Sequence, residues 1–270
     1  MKRIAIHSVP RSGSTWLGSI FDSHPNVAYR FQPLFSYGHK SQLNEKSTKC
    51  DIDRFFNDIL NTTDDFVLQK EAIAKNIVPK FKKDNPTHIV YKEVRYHNII
   101  ENLMEQDCEL IIIGLVRNPL AVINSWLQAP KEFKKELGWK ESEEWRYAPK
   151  KNLNKPEEFN GFEKWKEVSY LFLKLNEKFP ERFKLVNYDE LISNTQKIVE
   201  ELFEFSNLKL IQQTIDFIST SKTSENNDAY SVYKIKTSDV AWKKTLPDYI
   251  SNEIINDTDF KKLNQLFNWL

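Results

Sequence analysis

The sequence is short of cysteine, glycine and net charge. Its two cysteines, Cys50 and Cys108, stand far apart and show no metal spacing. That excludes a disulfide framework and a thiolate metal site, and free thiols are expected. Lys+Arg 39 against Asp+Glu 38 leaves a formal charge of +1, so no whole-protein field attracts nucleic acid or a membrane, and any anion must be bound locally. No apolar run has the length of a transmembrane helix, and no internal repeat or low-complexity linker divides the chain. An apolar strand is expected to begin by residue 4, so no leader or anchor is expected ahead of it. The expectation is therefore a cytoplasmic protein, of bacterial type, with no membrane insertion and no nucleic-acid partner; the sequons at 61–63 and 256–258 are then accidental. Oligomeric state is not set by the sequence.

What is present begins at the N-terminus. Ile4-Ala5-Ile6 is a short apolar strand, and Pro10-Arg11-Ser12-Gly13-Ser14-Thr15-Trp16-Leu17 follows it, with a helical pattern through Leu17, Ile20 and Phe21. Strand, small-residue loop and helix aim backbone N–H groups and a helix N-terminus at an anion. The nucleoside-triphosphate signature G-x-x-x-x-G-K-[ST] is missing: Gly13 is the loop's single glycine, and the cation Arg11 precedes it. An arginine fork suits a tetrahedral oxyanion without a metal.

A second constellation starts with the continuous apolar run 109–116, which reads as a buried parallel strand. Arg117-Asn118-Pro119 follows, with Asn118 as N-cap and Pro119 at the first helical position. Ser125 then lies two turns into the helix, where it and Arg117 can pinch one phosphate. These two segments, in this order, resemble the sulfotransferases that use 3′-phosphoadenosine 5′-phosphosulfate (PAPS). The first resembles their 5′-phosphosulfate loop and the second their 3′-phosphate site. Tyr188, in Phe183-Lys184-Leu185-Val186-Asn187-Tyr188-Asp189-Glu190-Leu191, is similar to the tyrosine that sits near the adenine, with the following acidic pair reversed. Lys236-Thr237-Ser238-Asp239-Val240-Ala241-Trp242 resembles more loosely the segment that closes over the 3′-phosphate.

The resemblance covers about residues 3–250. It implies cofactor contacts from Arg11, Ser12, Gly13, Ser14, Thr15, Trp16, Arg117, Ser125, Tyr188, Lys236 and Ser238, with no metal, and sulfuryl transfer to an acceptor hydroxyl. The acceptor expected from the carbohydrate branch is a glycan, although a small molecule stays open. Aromatic and amide groups at Gln32, Phe35, Tyr37 and His39 are expected to face it. Gln32 stands where carbohydrate and tyrosylprotein enzymes carry a glutamate base, and an amide cannot take a proton. On the strand 88–92, Lys92 matches the small-molecule enzymes' lysine and is expected to neutralise the leaving group. Glu93 beside it is the first candidate base, with His7, His24, His39 and His97 as rivals. A metal-dependent nucleotide kinase and a non-catalytic PAPS-binding protein remain as alternatives.

Strand–helix alternation predicts one α/β domain over 1–270, with a central parallel sheet and helices on both faces, and the resemblance implies that the sheet is P-loop-like. Strands are expected at 3–8, 26–30, 88–92, 109–116 and up to 188. Helices are expected at 51–60, 65–75, 98–106, 119–128, 157–178 and up to 205, and in the C-terminal region. Residues 129–155, charged and carrying Trp139, Trp145 and Tyr147, read as a surface insertion or lid.

Overall fold

The computed structural model describes residues 1–226, 228–235 and 238–270. Five strands, β1 (Lys2–His7), β2 (Val27–Phe31), β3 (His88–Glu93), β4 (Leu110–Val116) and β5 (Phe183–Asn187), form one sheet in the order β2-β3-β1-β4-β5. Every pairing is parallel. The helices in chain order are α1 (Ser14–Asp22), α2 (Lys49–Leu60), α3 (Lys70–Ala74), α4 (Ile100–Gln106), α5 (Pro119–Leu127), α6 (Glu141–Glu144) and α7 (Pro149–Asn152). They continue as α8 (Phe162–Lys178), α9 (Tyr188–Ser193), α10 (Thr195–Phe205), α11 (Gln212–Thr223), α12 (Trp242–Thr245), α13 (Asp248–Asn256) and α14 (Thr258–Phe267). This is the single α/β domain with a P-loop-like parallel sheet that the alternation and the resemblance predicted.

Two apolar layers sandwich the sheet, and strand alternation assigns residues to them. Ala5, Tyr91 and Ile112 face one layer with Phe55, Phe172 and Trp165. Ile4, Ile6, Val90, Ile111 and Ile113 face the other with Trp16, Phe21 and Phe203. Successive side chains of a strand point to opposite faces, so a strand buried on both sides tends to be a continuous apolar run. β4 is buried at all seven positions. Each such side chain contributes about 1.5–3 kcal/mol relative to exposure.

The register places the strand ends that matter side by side. Ile6 pairs with Lys92 on one side and Ile113 on the other, and Val116 pairs with Asn187. Chain direction turns outward on either side of β1, which opens a crevice at the carboxyl edge of the sheet. Arg11, Lys92, Arg117 and Tyr188 all lie at or just past that edge.

Two elements differ from expectation. The helix expected over 65–75 is reduced to α3, because Asp64 Oδ1 accepts the N–H groups of Phe66 and Val67 in a turn and Gln69 takes a left-handed φ of 52°. The helix expected from 157 starts at Phe162. The Asn152 side chain binds the Asn160 backbone ahead of it, with Nδ2 donating to the Asn160 carbonyl at 2.8 Å and Oδ1 accepting the Asn160 N–H at 3.1 Å. Gly161 turns there with φ 87°, where a Cβ would lie 2.7 Å from the Arg146 carbonyl. Residues 129–155 fold back onto the core: Phe133, Trp145 and Ala148 are buried, with Phe133 edge-on to Trp126.

Candidate active site

The loop after β1 reaches helix α1 through two left-handed residues, Arg11 at φ 69° and Gly13 at φ 90°. Gly13 caps α1, whose first turn carries no acidic side chain, so its positive end is left to an anion. A side chain at Gly13 would collide with the Tyr188 ring. The glycine is required twice: by its φ, and by the close approach of a tyrosine from the far end of the sheet. Backbone strain at a non-glycine such as Arg11 is the kind stored at functional sites.

Arg11 sends its guanidinium across the crevice. Nε donates to Ser125 Oγ at 3.1 Å, Nη1 to Glu132 Oε1 at 3.2 Å and Nη2 to the Ala229 carbonyl at 3.2 Å. It lies 5.1 Å from the Tyr230 ring centroid. Arg117 leaves β4 on the other side of the loop. Its Nη1 donates to the Arg11 carbonyl at 2.6 Å and its Nε to Asp239 Oδ2 at 2.7 Å, and Nη2 contacts Asp239 Oδ1. The guanidinium stacks 4.7 Å from the Tyr188 ring centroid. Trp165 Nε1 fixes the Arg117 carbonyl at 3.0 Å.

All of this faces one cavity of about 980 Å³. Arg11, Gly13, Ser14, Thr15, Trp16, Gln32, Phe35, Lys92, Arg117, Ser125, Tyr188 and Ser238 line it. Ser125 hydrogen-bonds to Arg11, so the two proposed arms of the 3′-phosphate pinch, Arg117 and Ser125, share the cavity with Arg11 bound to both segments. Lys92 is buried at the cavity wall with Nζ 4.5 Å from the Phe31 centroid, and burial pushes its ammonium pKa down. Beside it, Phe31 and Phe35 pack on Phe66 at 5.3 and 5.5 Å, and the Arg95 guanidinium lies 4.1 Å over Phe35.

Several expected residues fall elsewhere. Glu93 points away from the cavity, as strand alternation after Lys92 requires. It is fully buried, Oε1 accepts the Leu34 N–H at 2.8 Å, and burial pushes its carboxyl pKa up. It braces the turn after β2 and does not line the cavity, which speaks against the base role expected of it. Ser12 is buried beneath the loop rather than on the cavity wall. Tyr37 is 92% exposed and His39 binds Gln42 and Thr62, so neither reaches the site expected for an acceptor. His7 and His97 form a buried pair, Nδ1 to Nδ1 at 3.2 Å, under the sheet edge. His24 accepts the Asn26 N–H through Nδ1. Lys236 lies outside the described residues.

Three side chains at the site carry no signal in the sequence: Glu132, Tyr230 and Asp239. Glu132 sits in a mixed-charge stretch and Asp239 among basic and hydroxyl residues; neither spacing marks a contact with an arginine more than a hundred positions away. Among the described residues, no group of three or more His, Cys, Asp or Glu is placed to hold a metal ion, and no helix is long and apolar enough to cross a membrane.

The donor set fits a ligand with two separated anionic groups and a flat ring: one arginine and a helix N-terminus at one end, a second arginine stacked on tyrosine beside it. Comparison with known proteins agrees. Mouse (Mus musculus) carbohydrate sulfotransferase 5 is 24% identical over 88% of this chain and 73% of that protein. The sulfotransferase domain from the curacin biosynthetic pathway superposes with a TM-score of 0.53 at 16% identity, covering 99% of this chain and 97% of that one. Mouse sulfotransferase SULT7A1, solved with PAP, superposes with a TM-score of 0.54 at 11% identity, covering 98% and 89%. The family model described as "Sulfotransferase domain" matches residues 1–265, and the chain belongs to that family, the PAPS-dependent sulfotransferases that its loop motifs resemble.

Proposed function

We propose that this enzyme moves a sulfuryl group from PAPS to an acceptor hydroxyl on a carbohydrate. The observation that carries the reading is the arrangement of Arg11 and Arg117. They stand on adjacent strand ends, joined by the 2.6 Å bond from Arg117 Nη1 to the Arg11 carbonyl, and open into one cavity. Two fixed guanidinium groups at the N-terminus of α1 suit the 5′-phosphosulfate and the 3′-phosphate of one nucleotide.

Arg11, Ser14, Thr15 and the loop amides hold the charge that develops on the sulfuryl group and the bridging oxygen. Lys92, desolvated at the cavity wall, supplies a proton or charge to the leaving phosphate. Arg117, with Ser125 and Ser238, takes the 3′-phosphate, and Tyr188 and Trp16 flank the adenine. Gln32 and Phe35 belong to the acceptor side. A glycan acceptor is supported by the relative's name and by the Phe31–Phe35–Phe66 platform, whose flat faces suit a sugar ring. A cytoplasmic location is the matching proposal.

Calorimetric titration with 3′-phosphoadenosine 5′-phosphate (PAP) and with ATP, both in excess chelator, tests the reading. Metal-free binding of PAP and none of ATP is expected. Absence of PAP binding, or ATP binding that returns with Mg²⁺, would overturn it in favour of a kinase.

A further inference from the structure

Glu93 is turned away, Gln32 cannot accept a proton, and none of His7, His24, His39 and His97 lines the cavity. Among the described residues, the carboxylates that do line it are Asp65, Glu71, Glu132 and Asp239. Asp65 is paired with Lys70 at 2.6 Å and Glu71 with Lys75, both on the exposed rim. Asp239 is taken by both arms of Arg117. Glu132 alone stands against the sulfuryl-side arginine, with Oε1 at 3.2 Å from Arg11 Nη1.

We infer that Glu132 is the catalytic base of the transfer, a role that rests on the sulfuryl-transfer reading above. Glu132 and the sulfuryl group are held by the same guanidinium, so an anionic donor that draws Arg11 toward itself leaves the carboxylate free beside the sulfur. Glu132 takes the hydroxyl proton as the acceptor oxygen bonds to sulfur. The S–O bond to the 5′-phosphate breaks at the same time, and its electron pair stays on the phosphate. The position is well supported. Glu132 N–H donates to the Ala129 carbonyl at 2.9 Å, the neighbouring Phe133 is buried against Trp126, and the Lys131 N–H donates to the Tyr230 hydroxyl at 2.9 Å. Lys92 and Lys151 lie within the field of the same carboxylate. On this account the segment 129–155 is the part of the chain that supplies the base, replacing the glutamate missing at Gln32.

The test combines binding with turnover. Wild type, Glu132→Gln and Glu132→Ala are titrated with PAP, and the release of labelled sulfate from saturating PAPS is followed with water as the acceptor. Glu132→Gln is expected to hold PAP as tightly as wild type or more so, because Arg11 loses a competing carboxylate. Its sulfate release is expected to fall about 100-fold, within the usual range for a lost general base. Added formate is expected to restore release by Glu132→Ala. Wild-type release from Glu132→Gln with PAP binding intact would overturn the base and leave the sulfotransferase reading standing. PAP binding weakened tenfold or more would make Glu132 a structural brace of the loop and overturn the base equally. Failure of wild type to bind PAP would remove the reading on which the proposal rests.

Discussion

Arg117 and Asp239 form a two-point ion pair at the mouth of the crevice, with Nε 2.7 Å from Oδ2 and Nη2 on Oδ1. Arg117 is almost enclosed by this contact and by the Tyr188 ring. If the 3′-phosphate sits on Arg117 as proposed, the nucleotide has to displace this carboxylate. Asp239→Asn should tighten PAP several-fold. Arg117→Ala should weaken PAP about 100-fold, equivalent to about 2.7 kcal/mol, while adenosine 5′-phosphate, which lacks the 3′-phosphate, changes little. Calorimetry on both ligands checks the pair, and equal losses for both would exclude Arg117 from the 3′-phosphate.

Arg11 is the cation of the loop and the partner of Ser125 and Glu132. Arg11→Ala should lower sulfuryl transfer by a factor on the order of 100–1,000 with an unchanged far-UV spectrum. Arg11→Lys should recover part of the loss, since it restores charge without the fork. An Arg11→Ala protein with full activity would exclude it from the reacting centre.

Glu93 is buried, and burial favours its neutral form. Glu93→Gln preserves shape and the acceptor for the Leu34 N–H, so turnover should stay within about threefold of wild type. A large loss of turnover with unchanged PAP affinity would return Glu93 to the chemistry.

Gly13 must keep both its left-handed φ and its contact with Tyr188. Gly13→Ala should destabilise the protein by about 1–3 kcal/mol and weaken PAP, because the ring and the loop amides are pushed apart. Thermal melting with and without PAP measures both effects.

His7 and His97 are fully buried, and desolvation lowers His7 to about 3 and takes His97 well below its ordinary value of 6.5. In the folded chain both are neutral, and in the unfolded chain both protonate below pH 6.5. The unfolded state then binds more protons, so stability is complete above 6.5 and is lost as pH falls from 6.5 toward 3. Each histidine contributes a slope of up to about 1.4 kcal/mol per pH unit. His7→Asn should make the decline of melting temperature between pH 7 and 5 shallower, measured by calorimetric scans at fixed ionic strength.

The sequence by itself determined the sheet and the anion-binding loop. Apolar runs buried on both faces are readable because alternation then favours apolar residues at successive positions, as in β4. The Arg11–Thr15 loop and Arg117-Asn118-Pro119 are readable because caps, left-handed turns and forked cations depend on neighbours a few positions away. The shortened α3 and the late start of α8 were less legible, since Asp64 and the Asn152–Asn160 pair compete for backbone groups through side-chain bonds that periodicity does not register.

Only the tertiary structure decided which carboxylates meet the arginines. Glu132 and Asp239 reach Arg11 and Arg117 across 121 and 122 positions of chain. Strand alternation turned Lys92 into the cavity and Glu93 out of it, a distinction that depends on which face of β3 meets the crevice. Tyr37 and His39 lie near Gln32 and Phe35 in sequence, yet beyond the 3₁₀ turn at Pro33–Phe35 the chain carries Tyr37 to the surface and buries His39 against Gln42 and Thr62. The physical reason is common to all these cases. Local geometry follows from short-range bonding and hydrophobic alternation, whereas the pairing of charges across a crevice follows from how distant segments pack.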